Sequence, residues 1–212
     1  MFGFRNAVQR VSMTQVKPGP ALSLSYPVRR HGSFLATRAL AKTALRELED
    51  ALVDNHTGTT VAIDFTDVEA MSISFADEFL GRYYGMLSAS IDAPPAVVLL
   101  IGLNEDNFES VTVCLQRREL LAATATTEGV RLLGAPAVLN ETYHAAADLG
   151  TFTAMHLADR LGISAPNANN RLKRLVAARA LIRHRGIAER GGKEFSYEVP
   201  PSPYGISTPP GA

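Results

Sequence analysis

The run PPAVVLLIGL, Pro94 to Leu103, carries no polar side chain over ten residues. A strand that is wet on one face alternates apolar with polar. A strand that does not alternate is buried on both faces, as in the middle of a parallel sheet. The run is also far short of the roughly 20 residues a membrane span requires. The chain must therefore supply cover for two sheet faces. The flanking sequence offers it. ALSLSYPV places Leu22, Leu24 and Tyr26 in alternation, and TTVAIDF does the same with Val61, Ile63 and Phe65, so both read as strands. FLATRALAKTALRELEDALVDN brings Leu35, Ala39, Leu45, Leu48 and Leu52 to near-helical spacing. A second helix runs from Phe75 through Phe79, Tyr83 and Leu87, and NFESVTVCLQRRELLAATAT reads as a third. GVRLL, Gly129 to Leu133, reads as a short strand or a connector. Strands alternating with helices predict an α/β layer architecture with a partly parallel sheet.

Charge divides the chain where its fold pattern changes. Lys plus Arg and Asp plus Glu are 21 each over 212 residues. Residues 1–150 hold 12 basic and 17 acidic side chains, net −5; residues 151–212 hold 9 and 4, net +5. Halves of opposite sign predict two domains, the second facing a polyanion. The expected divisions are an N-terminal segment 1–16, an α/β domain 17–128, a basic domain 129–200 and a disordered Pro-rich tail 201–212. The single Cys114 rules out an internal disulfide framework. MFGFRNAVQRVSM has no apolar core fit for a signal peptide. A cytoplasmic protein that does not enter a membrane is expected.

The stretch AMSISFADEFLGRYYG turns from strand to helix. Ser74 fits an N-cap with Asp77 three positions on, and Asp77 and Glu78 would complement the positive helix end. That reading needs no chemistry. VAIDFTDVEAMSISFADEFLGRYYG also resembles the STAS-like domains of bacteria, through Asp64, Phe65, Ser74, Phe75, Ala76, Asp77 and Glu78, over about residues 20–122. Those domains are similar to the STAS domains of anti-anti-sigma factors, which bind partner proteins and are switched by phosphorylation of a serine at this helix start. The resemblance implies a partner or phosphorylation site at Ser74, Asp77 and Glu78. The usual Asp-Ser-Ser-Gly is replaced by Ser72-Ile73-Ser74-Phe75.

Signs of catalysis are lacking. Asp64, Asp67, Asp77 and Glu78 cluster in sequence without a glycine-rich phosphate loop or a nucleophile elbow. His31, His56, His144, His156 and His184 lack metal-ligand spacing. Cys114 sits in the apolar SVTVCL, the setting of an inert thiol. Neither enzymatic activity nor a cofactor or metal is expected.

The basic half carries the strongest functional pattern. A helix from Ala154 to Leu161 buries Leu157, Ala158 and Leu161 and ends at Gly162, which permits a left-handed cap. Ser164 can cap the next helix and Pro166 suits its first turn. That helix buries Ala168, Leu172, Leu175 and Val176, and shows Asn167, Asn169, Asn170, Arg171, Lys173 and Arg174. Helix, short turn with glycine, helix is the helix-turn-helix spacing. ALIRHRGIAERGGKEFSYEV then reads as two strands about Gly191-Gly192. Residues 139–199 resemble the winged helix-turn-helix domains of bacterial transcription regulators. That likeness implies a double-stranded DNA contact by Ser164, Asn167, Asn169, Asn170, Arg171, Lys173 and Arg174, with Arg183, Arg185, Arg190 and Lys193 on the hairpin. Helix residues would read bases and hairpin residues hold phosphates. The expected fold is a STAS-like sheet with packed helices, followed by a small winged helix-turn-helix domain. The expected function is a DNA-binding transcription regulator with a regulatory protein partner. It would act as a homodimer joined through residues 139–149 or an exposed face of the sheet layer. The alternative is an anti-anti-sigma-like interaction switch whose winged helix contacts protein only.

Overall fold

The computed structural model describes residues 22–53, 59–187 and 193–204. The segment expected at 1–16, the turn expected at Gly191-Gly192 and all but the first residues of the Pro-rich tail lie outside them. β1 (Leu22–Pro27), β3 (Thr60–Asp64), β5 (Val97–Ile101) and β6 (Ala122–Thr126) run parallel, and β7 (Gly129–Leu133) closes the sheet antiparallel to β6. The strand order β1-β3-β5-β6-β7 advances in one direction. Right-handed crossovers then place every connecting helix on the same face. These are α1 (Arg38–Leu52), the helical stretch Ile73–Ala89, and α4 (Glu105–Arg117). The two-residue β2 (Phe34–Leu35) and β4 (Ala70–Met71) pair in parallel beside the start of the middle helix.

The middle helix is continuous but not uniform. α2 (Ile73–Ala76) leads into a wide π turn, Asp77–Gly81, and then α3 (Arg82–Ala89). Phe75, Phe79, Tyr83 and Leu87 are all buried in the core it shares with α1 and α4, as their spacing predicts. The third helix is shorter than its sequence suggests. It stops at Arg117; Glu119 adopts φ +55°, a left-handed conformation that ends helical hydrogen bonding. Residues 122–126, expected as helix, form β6 instead, because Ala122 to Thr126 pair along β7 and Ala123 and Thr124 also pair with β5. GVRLL is a strand, and its pairing carries the sheet across the division expected after residue 128.

β5 explains its own composition. Val98 and Leu100 face the core with α1 and α4, whereas Val97 and Leu99 face a second core. That second core joins Ala123, Ala125, Val130 and Leu132 of the sheet to Leu139, Tyr143, Leu157, Leu172 and Leu175 of the C-terminal helices. The C-terminal elements are α5 (Ala137–Leu149), β8 (Phe152–Thr153), α6 (Ala154–Leu161), α7 (Ala165–Ala177), β9 (Ile182–Ile187) and β10 (Lys193–Glu198). The three strands form an antiparallel sheet in the order β8-β10-β9. The fold is thus three-layered: helices, a mostly parallel sheet, and the C-terminal helices on its other face. The apolar side of α5, expected as a contact between two copies, is buried within the chain by Leu139, Tyr143 and Ala146. Among the described residues no helix is long and apolar enough to cross a membrane.

Arg179 locks the C-terminal layer to the rest. It is 1% exposed and sits just past α7 with φ +57°. Its Nη2 donates to the carbonyls of Ser90 at 2.7 Å and Ala93 at 2.9 Å; its Nη1 donates to those of Ile91 and Val176, both at 3.1 Å. Its own carbonyl accepts from Val98 N–H of β5 at 3.2 Å. The Ser90 carbonyl caps the negative end of the α3 dipole and receives a cation to which, among the described residues, no carboxylate is hydrogen-bonded. Burial lowers the Arg179 pKa below the ordinary guanidinium value, so these four acceptors are what make the buried charge tolerable. We predict that Arg179→Ala costs about 3 kcal/mol or more in urea unfolding. Arg179→Gly loses the same bonds but accepts the positive φ, and should be about 1 kcal/mol less damaging. Equal losses for the two variants would contradict a left-handed residue here.

Candidate nucleic-acid interface and charged helix start

α6 and α7 form by local rules. Thr153 and His156 make reciprocal capping contacts at the start of α6. Gly162 ends it at φ 64°, ψ 34°, where a Cβ would be strained. Ser164 Oγ accepts from Asn167 N–H at 3.4 Å and opens α7. Ala168, Leu172, Leu175 and Val176 then anchor one side of α7 in the second core. On the other side Asn167, Asn169, Asn170, Lys173 and Arg174 are exposed. α7 contains no acidic residue. Two of its polar side chains are tied to the helix: Asn169 Nδ2 donates to Ala165 O at 3.1 Å, and Asn167 Oδ1 accepts from Arg171 Nε at 3.2 Å.

Not every residue expected at DNA stands free. Arg171 is drawn toward α5: Nη1 donates to Thr142 Oγ1 at 3.1 Å and lies 3.8 Å from Glu141 Oε2, leaving the side chain 15% exposed. Arg174 lines a cleft of about 210 Å³ with Tyr84 and Ser88 of α3 and with Glu119. On the hairpin, Arg183 pairs with Asp92 of the α3–β5 loop and lies 4.8 Å over the Phe195 ring. His184 faces Glu198 at 3.1 Å. Arg185 is exposed with no ion pair among the described residues. Arg190 and the side chain of Lys193 lie outside the described residues. The net +5 of the second half therefore overstates its free charge, since Arg160, Arg171, Arg179 and Arg183 all have partners within the chain.

The charged helix start is built differently from its sequence reading. The N-cap is Ser72, not Ser74. Ser72 Oγ accepts from Phe75 N–H at 3.1 Å and donates to Ala36 O at 2.7 Å. Ser74 is exposed in the first turn. The register that buries Phe75 and Phe79 places Ser72, rather than Ser74, one turn before the first core residue. Asp77 and Glu78 lie beyond the first turn and bind arginines instead. Asp77 accepts from Arg118 Nε at 2.6 Å and Arg38 Nη1 at 2.9 Å. Glu78, 4% exposed, accepts from Arg38 Nη1 at 3.1 Å. Arg82 Nε stands 2.7 Å from Glu78 Oε1, an ion pair whose N–H is not aligned on the oxygen. The wide π turn sets both carboxylates toward α1 and α4. A Cβ at Gly81 would lie 2.7 Å from Arg118 Nε and would push that guanidinium from its place beside Asp77. The Arg118 guanidinium, then burial opposing it, then Arg38, leave the Asp77 carboxyl at about 2.

Sequence reasoning missed Arg38, Arg82 and Arg118 as partners of Asp77 and Glu78, and Arg179 as a structural cation. Arg179 did leave a trace: LVAARALI is a buried apolar run interrupted by a lone charge. Cys114 is buried, and burial pushes its thiol up to about 11. Among the described residues no three His, Cys, Asp or Glu side chains converge as a metal site. Compared with protein-family models, curated proteins and solved structures, the chain matches none.

Ser72→Ala should cost about 1 kcal/mol in thermal or urea unfolding, as loss of an N-cap does. Ser74→Ala should stay within about 0.5 kcal/mol. The reverse order would restore Ser74 as the cap. The Asp77 pair adds a pH dependence. Its folded pKa is depressed from 3.8 to about 2, so its stabilising contribution is complete above the unfolded value and disappears as pH falls from about 4 to 2. Over that window Asp77→Asn should lose less stability than the wild type. Parallel acid profiles of the two would remove the ion pair from the account.

Proposed function

We propose that this protein is a DNA-binding transcription regulator. In this reading α5 through β10 form a winged helix-turn-helix, α7 enters the major groove of double-stranded DNA, and the β9–β10 hairpin lies along the backbone. The sheet with α1 to α4 is then a STAS-like layer, and its exposed helix start around Ser74 meets a regulatory protein. The observation that carries the proposal is the outer face of α7. It is exposed, amide-rich and cationic at Asn167, Asn169, Asn170 and Lys173, without a carboxylate on the helix. Amides and cations are the groups that contact base edges and phosphates. The element order helix, strand, helix, helix, strand, strand, with sheet order β8-β10-β9, supports it.

A second reading has its own support. Arg171 and Arg183 are held by Thr142 and Asp92, which favours a module that contacts protein only. One titration separates the two. Labelled duplexes are bound by the full chain at several salt concentrations. The DNA reading expects affinity that falls with salt. Lys173→Ala and Arg185→Ala should each lower the slope of log K against log salt by about 0.9 on all sequences alike. Absence of salt-dependent affinity at low salt would leave the protein-only module.

A further inference from the structure

We propose that Asn170 is the side chain that reads an adenine, and that the neighbouring Asn167 and Asn169 do not; the inference rests on the DNA reading above and assigns its specificity. Adenine shows the major groove an acceptor, N7, and a donor, the N6 amino group. An asparagine that reads it must bring both its oxygen and its nitrogen to the base edge. An amide that the protein already holds through one atom has a fixed orientation and must give up that bond to turn toward a base.

The hydrogen bonds of α7 sort the three amides. Asn167 Oδ1 accepts from Arg171 Nε at 3.2 Å. A guanidinium only donates, so the amide oxygen must be the atom that faces it. Arg171 is itself fixed by Thr142, whose hydroxyl donates to Val138 O at 2.7 Å. Asn167 therefore turns its amino group outward and offers donors, which suit a phosphate oxygen or the acceptors of guanine. Asn169 is anchored through its nitrogen, 3.1 Å from the carbonyl of Ala165. A carbonyl only accepts, so here the nitrogen is drawn back along the helix. It also stands on the flank that holds Ala165 and Lys173, one step round the cylinder from Asn170. Asn170 is exposed, and its amide has no partner among the described residues. Helical spacing puts Pro166 and Asn167 one turn before it and Lys173 and Arg174 one turn after it. It is thus the centre of the outward face and keeps both hydrogen-bonding atoms.

The test is selection of preferred sites from random duplexes by the full-length wild type and by Asn167→Ala, Asn169→Ala and Asn170→Ala, at one salt concentration. All three positions are exposed and alanine favours helix, and melting curves check that each variant is folded. The wild-type site should hold an adenine that Asn170→Ala no longer prefers and the other two variants keep. The discrimination lost should be roughly 5- to 150-fold at that position, with affinity for random DNA unchanged. Replacing that adenine by 7-deazaadenine removes the N7 acceptor. It should weaken wild-type binding by up to that factor and leave Asn170→Ala unaffected. The proposal is overturned if Asn170→Ala keeps the adenine, if Asn167→Ala or Asn169→Ala loses it, or if the wild type selects no adenine. Each of those results leaves DNA binding itself intact. A wild type that binds no duplex overturns the function proposed above as well.

Discussion

One buried guanidinium holds the three layers together. Arg179 gathers carbonyls from the end of α3, from the loop after it and from its own helix, and its backbone completes the ladder of β5. A cation buried this deeply is costly unless acceptors meet it; four carbonyls receive its two terminal nitrogens, and among the described residues its Nε has no partner. That requirement makes the site specific: α7 can leave its helix only where four carbonyls converge. The neighbouring pair of Arg183 and Asp92 fastens the hairpin to the same loop. The C-terminal helices are therefore docked by charge at one place and by apolar contact across the second sheet face.

Apolar contact supplies the area and the charge supplies the position. Val97, Leu99, Ala123, Val130 and Leu132 would otherwise face water, an exposed stripe that a folded monomer rarely tolerates. Covering them with Leu139, Tyr143, Leu172 and Leu175 closes a core. The area it buries does not by itself fix one orientation, because burial is not directional. Hydrogen bonds to a planar guanidinium are directional. The same division appears at the other end of the middle helix. Phe75 and Phe79 bury area there, while Asp77 and Glu78 fix the turn against Arg38 and Arg118.

What could be read from the sequence was whatever is decided locally. Gly162 ends α6 at Leu161 and Ser164 with Pro166 starts α7, where the sequence places both. β5 was legible because a run without alternation leaves little choice. β6 was not, since Ala122 to Thr126 is compatible with helix and becomes a strand only beside β5 and β7. The cap was misplaced by two residues because Ser72 and Ser74 both suit the role, and the choice is made by Ala36 and by the burial of Phe75. At the outward face the residue types were legible, but not which were free. Arg171 and Arg183 have partners on α5 and on the α3–β5 loop, and no spacing within the C-terminal sequence announces them.

The link from Arg179 to Val98 joins positions roughly eighty residues apart. Translation proceeds at about 5–20 residues per second, so β5 emerges some 4–16 seconds before the segment that completes it. During that interval the first-made layers can close around α1 and α4, while the opposite sheet face has no cover of its own. The nascent chain thus displays Val97, Leu99 and their neighbours to solvent or to whatever binds nascent chains. Its last-made third determines when the exposure ends, and synthesis stalled before Arg179 leaves a half-clad sheet with an open apolar face.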